Sequence, residues 1–156
     1  MMGASFHFAS FDDSHWPLLI NRLRGEASNQ EFDDYLARAT RCMDRGQPHV
    51  MVVDLSQAVG LPPEQRNRLE QWSRQQEEAM RRTVLGAAYI TPTAVVRLAL
   101  SVLLYVRRPS YPYVIVSREE QALAWALMRL EEAGLHAAAG RIRCDLGRVP
   151  SPAHAV

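Results

Sequence analysis

Asp54 and Ser56 follow directly on the apolar run Val50-Met51-Val52-Val53. A carboxylate with a hydroxyl two residues on, at the end of such a run, is the first place in the chain where side chains could do chemistry. The pair suits a binding loop, or Ser56 could cap and brace a turn, as short polar side chains do. A receiver-type phosphoacceptor is the sharper alternative, because Asp12 and Asp13 lie upstream of Asp54 and Thr91 lies beyond it. That chemistry needs a lysine to complete the phosphoryl site, and all 18 cationic side chains are arginine. A receiver would also need a strand between Gly25 and Gln47, where none is expected. The same absence of lysine excludes a Schiff base and a P-loop.

The histidines His7, His15, His49, His136 and His154 have no metal-ligand spacing, and Cys42 and Cys144 are too far apart in the chain to help them. Both cysteines read as structural thiols. No Gly-x-Ser-x-Gly elbow, glycine-rich phosphate loop or His-Glu-x-x-His pair occurs. An enzyme would need a site assembled from distant residues, so no catalytic residue, metal or cofactor is expected and a non-enzymatic role is favoured.

The elements that would hold Asp54 and Ser56 can be read from apolar patterning. Residues 48 to 56 read as a central strand buried on both faces, because an unbroken β-branched run supplies apolar side chains to both. Such sheets place functional groups just past the carboxyl ends of their strands. Upstream, Phe6, Phe8 and Phe11 suggest a short edge strand, Asp12-Asp13-Ser14 a turn, and Trp16 to Leu23 a strand closed by Gly25. Ser28 and Glu31 form a capping box. Phe32, Tyr35, Leu36, Ala39 and Met43 then share one helical face before Gly46 and Pro48 stop the helix. After Pro62-Pro63 a surface helix runs to about Arg82, with a thin stripe of Leu69, Trp72, Ala79 and Met80.

Val84 to Ile90 reads as a further buried strand, whose Gly86, Ala87 and Ala88 leave room for a crossing helix. From Ala94 to Val106 the apolar residues spread nearly all round a helix, more than one sheet face can cover. Val96, Leu100, Leu103 and Leu104 make one stripe, and Val95, Leu98, Ala99 and Val102 another. Either this helix is wedged between the sheet and the closing helix, or it carries a partner interface with Arg107 and Arg108 at its end. It could also rim an apolar ligand pocket. Tyr113 to Val116 makes a short strand, Ser117 to Glu120 repeats the capping-box pattern, and a helix continues to about Glu132. Beyond it a short element around Arg141 to Leu146 and a loose, partly disordered tail are expected.

The order implies an α/β domain over residues 1 to 135, with a mostly parallel sheet of four to five strands and about four helices, followed by a C-terminal extension over 136 to 156. A chain of 156 residues suits one domain. A net charge of +1 argues against a nucleic-acid partner held by bulk charge. The longest apolar segment, thirteen residues containing Arg97, is too short to span a bilayer, so no integral membrane association is expected. The N-terminus has no basic stretch leading into an apolar core, and a cytoplasmic location is expected.

With these elements placed, the chain resembles the SpoIIAA-like superfamily, the STAS domains and related STAS/Sec14-type single-domain bacterial proteins. The resemblance rests on Trp16-Pro17-Leu18-Leu19-Ile20 leading to Gly25, on Val50 to Val53 ending in Asp54-Leu55-Ser56, and on Glu119-Glu120-Gln121-Ala122-Leu123-Ala124-Trp125-Ala126 as the closing helix. It implies a SpoIIAA-like fold and a non-enzymatic module that binds a protein partner or a small apolar ligand, often as a homodimer. In anti-sigma-factor antagonists of this fold a phosphorylated serine opens the helix after the central strand. The matching stretch here, Gly60 to Gln65, has no Ser or Thr, so that switch does not carry over. The expected function is regulatory protein-protein interaction through a homodimer and a protein partner. A carrier of an apolar ligand or lipid is the alternative.

Overall fold

The computed structural model describes residues 8–147. Five strands form one sheet in the spatial order of the chain: β1 (Ala9–His15), β2 (Leu18–Gly25), β3 (His49–Ala58), β4 (Val84–Ile90) and β5 (Tyr113–Val116). β1 is antiparallel to β2, and the pairs from β2 to β5 are parallel. Each parallel connection therefore steps the same way across the sheet. Right-handed crossovers then place every connecting helix on one face. These are α1 (Asn29–Asp44), α2 (Pro63–Gln75), α3 (Glu77–Thr83) and α4 (Ala94–Val106). The opposite face is left to α5 (Glu119–Glu132) and α6 (His136–Leu146).

Strand alternation divides the core accordingly. Leu18, Ile20, Val50, Val52, Ala88 and Ile90 meet Ala122, Leu123, Ala126, Leu127 and Leu130 of α5 and Ala139 and Ile142 of α6. On the other face, Phe8 and Phe32 centre a second cluster with Tyr35, Leu36, Leu61 and Leu69 at its margin. Val50, Val52 and Val53 are buried, as a strand covered on both faces requires. β4 comes close to α5 because Gly86 has no side chain. A Cβ there would lie 2.7 Å from the Trp125 ring and 3.2 Å from the Pro112 carbonyl oxygen. Gly86→Ala is therefore expected to cost about 1–3 kcal/mol in urea denaturation, less when Trp125→Phe removes the obstructing ring.

The helix over residues 29 to 44 begins as expected, with Ser28 accepting from the Glu31 amide and Glu31 accepting from the Ser28 amide. Other expectations are corrected. Asp12-Asp13-Ser14 lies within β1, whose register shifts between Asp12 and His15, and the local bonds run from the Ser14 amide and hydroxyl to Asp12 Oδ1. The single helix expected to about Arg82 is two, separated at Gln76, so the described residues contain six helices. At the start of α5, Gln121 Oε1, not Glu120, accepts from the Ser117 and Arg118 amides. The expected C-terminal extension begins with a full helix, α6, whose Ala139 and Ile142 are in the main core. Phe6 of the expected edge strand and the tail beyond Gly147 lie outside the described residues.

His49 opens β3 fully buried, its ring stacked on Trp16 and its Nδ1–H donating to the Gln47 carbonyl at 2.9 Å. Nε2 has no partner among the described residues, and burial lowers the pKa below its ordinary 6.5. An unfolded chain takes up this proton first, so stability should fall as pH drops from about 6.5 towards the folded value, by up to about 1.4 kcal/mol per pH unit for this group. Urea denaturation across that range, with His49→Asn as the control that removes the slope, measures it.

Candidate interaction surface

Asp54 and Ser56 do not lie past the end of the central strand, as expected, but inside it, since β3 continues to Ala58. Asp54 Oδ1 accepts from the Ser56 amide at 2.9 Å and from the Ser56 hydroxyl at 2.5 Å. Its other oxygen lies 3.8 Å from Arg22 Nε, and Arg22 in turn pairs with Glu119 at 2.6 Å. The carboxylate is thus spent on bracing β3 and on a chain of charges to the start of α5. That chain is on the α5 side of the sheet, away from α4.

α4 is the helix that its surroundings do not cover. It starts where Thr93 accepts from the Val96 amide at 3.4 Å and closes with the Arg107 amide donating to the Leu103 carbonyl. Only Leu104 is buried, and Val96 and Leu100 are half-buried beside it. The wedge between sheet and closing helix is therefore excluded, because α5 packs on the other face. Outward lie Val95 (80% exposed), Leu98 (68%), Val102 (56%), Leu103 (54%), Tyr105 (70%) and Val106 (72%).

The stripe expected at Val96, Leu100, Leu103 and Leu104 thus turns inward except for Leu103, and the second stripe is the exposed one. Helical spacing explains the pattern. With 100° per residue, everything opposite Leu100 is Ala, Ser, Val, Leu or Tyr, an arc of roughly 200° without a charge. The charges sit at its flanks and tether the helix. Arg97 donates to the Thr91 carbonyl at 3.3 Å, and Arg107 pairs with Glu70 of α2. The Arg107 hydrogen bond holds the Glu70 carboxyl below its ordinary pKa. Arg108 stacks on Tyr105, 5.4 Å from the ring centre.

Two further features share this side of the sheet. Tyr35 receives a hydrogen bond from Asn21 Nδ2 at 3.5 Å, and the Tyr89 and Tyr111 hydroxyls are 3.2 Å apart. Burial pushes all three phenols up, so they remain neutral hydrogen-bonding groups at neutral pH. Beside β1, a groove of about 290 Å³ is lined by Phe11, Asp13, Leu19, Arg38, Arg41, Cys42 and Arg45. Its rim is polar, unlike the apolar pocket that a carrier of an apolar ligand was expected to have. Neither feature was visible in the sequence, although Arg38, Arg41 and Arg45 recur at helical spacing. Among the described residues no group of three His, Cys, Asp or Glu side chains could hold a metal, and no helix is long and apolar enough to cross a membrane.

No protein-family description matches the chain, and no curated protein matches it. Among solved structures it is similar to an uncharacterized protein from the DUF3478 family, of SpoIIAA-like fold, from Shewanella loihica PV-4. The similarity has a TM-score of 0.61 at 12% identity and covers 76% of this chain and 91% of that one. The chain has a SpoIIAA-like fold.

Proposed function

We propose that the protein acts without catalysis, as an interaction module that pairs with a second copy of itself through the outer face of α4 and in that form engages a protein partner. The observation that carries this reading is the uncharged outer arc of α4. Six of its large side chains are each more than half exposed. Together they expose on the order of 700 Å², at or above the largest patch of a typical monomer and close to the roughly 800 Å² per partner of a stable interface.

A second copy suits the face for a chemical reason. Two identical apolar arcs meet across a twofold axis without burying a charge, whereas a charged partner surface would be desolvated against them without compensation. Arg108 stays at the rim, where a solvated cation belongs. The SpoIIAA-like fold is consistent with such a role and does not require it. Sedimentation velocity over a concentration series tests the reading: a species of twice 17.6 kDa supports it, and a monomer at every concentration removes it.

A further inference from the structure

Two arginines of α1 and the arginine that caps its C-terminus meet β1 at the edge of the sheet farthest from α4. Arg38, Arg41 and Arg45, with Cys42 between them, fall at i, i+3, i+4 and i+7, one face of the helix. The guanidinium of Arg38 lies over the Phe11 ring, 4.8 Å from its centre, and donates to the Ala9 carbonyl at 3.1 Å. That of Arg45 lies over Trp16 at 4.2 Å and pairs with Asp13. Stacking fixes both planes and leaves edge N–H groups unspent. Arg41 is exposed and has no ion pair among the described residues. Three cations thus face one carboxylate across a groove of about 290 Å³, close to the lower bound of about 300 Å³ for small-molecule sites.

We propose that this groove binds a small organic phosphate monoester, its phosphate on Arg38 and Arg41 and its organic part against the half-buried edge of Phe11. A phosphomonoester brings nearly two negative charges and three acceptor oxygens, which match two guanidinium edges better than a carboxylate does. Cys42 does not cancel the positive charge. Burial pushes its thiol up, so it is neutral at pH 7. The site goes beyond the self-association reading and is independent of it, since the groove and α4 lie at opposite ends of the sheet.

The groove's own cysteine reports occupancy. In the full chain carrying Cys144→Ser, alkylation of Cys42 by iodoacetamide is followed by intact mass, with phenyl phosphate, inorganic phosphate and phenol as probes. Phenyl phosphate is expected to slow alkylation saturably, inorganic phosphate less, and phenol not at all. Arg41→Gln, at an exposed position, should raise the phenyl phosphate concentration needed by about tenfold. Amide shifts confined to β1 and the last two turns of α1 give a second readout that does not depend on thiol reactivity. Protection by phosphatidic-acid vesicles as well would assign the monoester to a lipid headgroup, and protection by phenyl phosphate alone to a soluble ester. Equal protection by phenol, the same concentration dependence in Arg41→Gln, or no amide shift up to ~10 mM phenyl phosphate would overturn the site.

Discussion

Replacing both Leu98 and Val102 by glutamate is expected to convert a dimer of this protein into a folded monomer. The two residues stand one turn apart at the centre of the outer arc of α4 and are exposed in the single chain, so two glutamates there remain solvated and, being good helix formers, leave α4 intact. In the dimer the same carboxylates would be buried against an apolar face. That costs several kcal/mol per pair and weakens association by more than about 10³-fold. Native mass spectrometry reads the change directly, and unchanged far-ultraviolet circular dichroism shows that the fold survives. Melting gives an independent check by mass action. The midpoint of the wild type should rise with protein concentration, and that of the variant should not. A variant that dimerises as well as the wild type would show that α4 is not the contact.

The choice of residues shows where sequence reasoning stopped. The bounds of α4, Ala94 to Val106, were legible because an apolar run interrupted only by Arg97 and Ser101 fills them. Its orientation was not. Charged residues of a surface helix ordinarily mark the solvent side, but Arg97 and Arg107 lie towards the inner arc, drawn there by the Thr91 carbonyl and the Glu70 carboxylate. Glutamates at Leu100 and Leu104 would therefore strike the packed side and unfold the helix, confusing association with stability. The strand that carries Asp54 and Ser56 was read too short for a related reason. Polar residues can end a strand or extend its exposed end, and only the pairing of β3 with β2 as far as Ala58 decides between them. The break at Gln76 carries no Gly or Pro, so no residue type in the sequence marks it. By contrast Val50 to Val53, the Ser28 cap and the close approach at Gly86 were readable because local chemistry and global packing ask for the same residues there. The groove on α1 lies between these cases. Its arginine spacing is plain in the sequence, but the rings of Phe11 and Trp16 that fix two of those side chains come from elsewhere in the chain.

Ile142→Ala is expected to destabilise the monomer by about 2–4 kcal/mol and to lower its melting temperature by roughly 10 °C. Ile142 is fully buried in the cluster that joins α5 and α6 to the sheet, so truncation leaves a cavity that a helix tied on either side of Ile142 can fill only in part. Those ties are named contacts. Arg141 donates to the Trp16 carbonyl at 2.8 Å and Arg143 pairs with Glu131 at 2.9 Å, so α6 cannot slide inward without breaking them. Ala137→Ser, on the exposed side of the same helix, should change stability by less than about 0.5 kcal/mol. Thermal and urea denaturation measure both. A cost at Ile142 no larger than that at Ala137 would mean that the region beyond residue 135 is not part of the core. The variant also separates the two faces of the sheet: Ile142→Ala should lower stability and leave the dimer mass unchanged, whereas the glutamates on α4 should abolish the dimer and leave the core untouched. Each result is informative because α4 and α6 lie on opposite faces of one sheet, so that the proposed association uses one face and the larger part of the apolar core lies on the other.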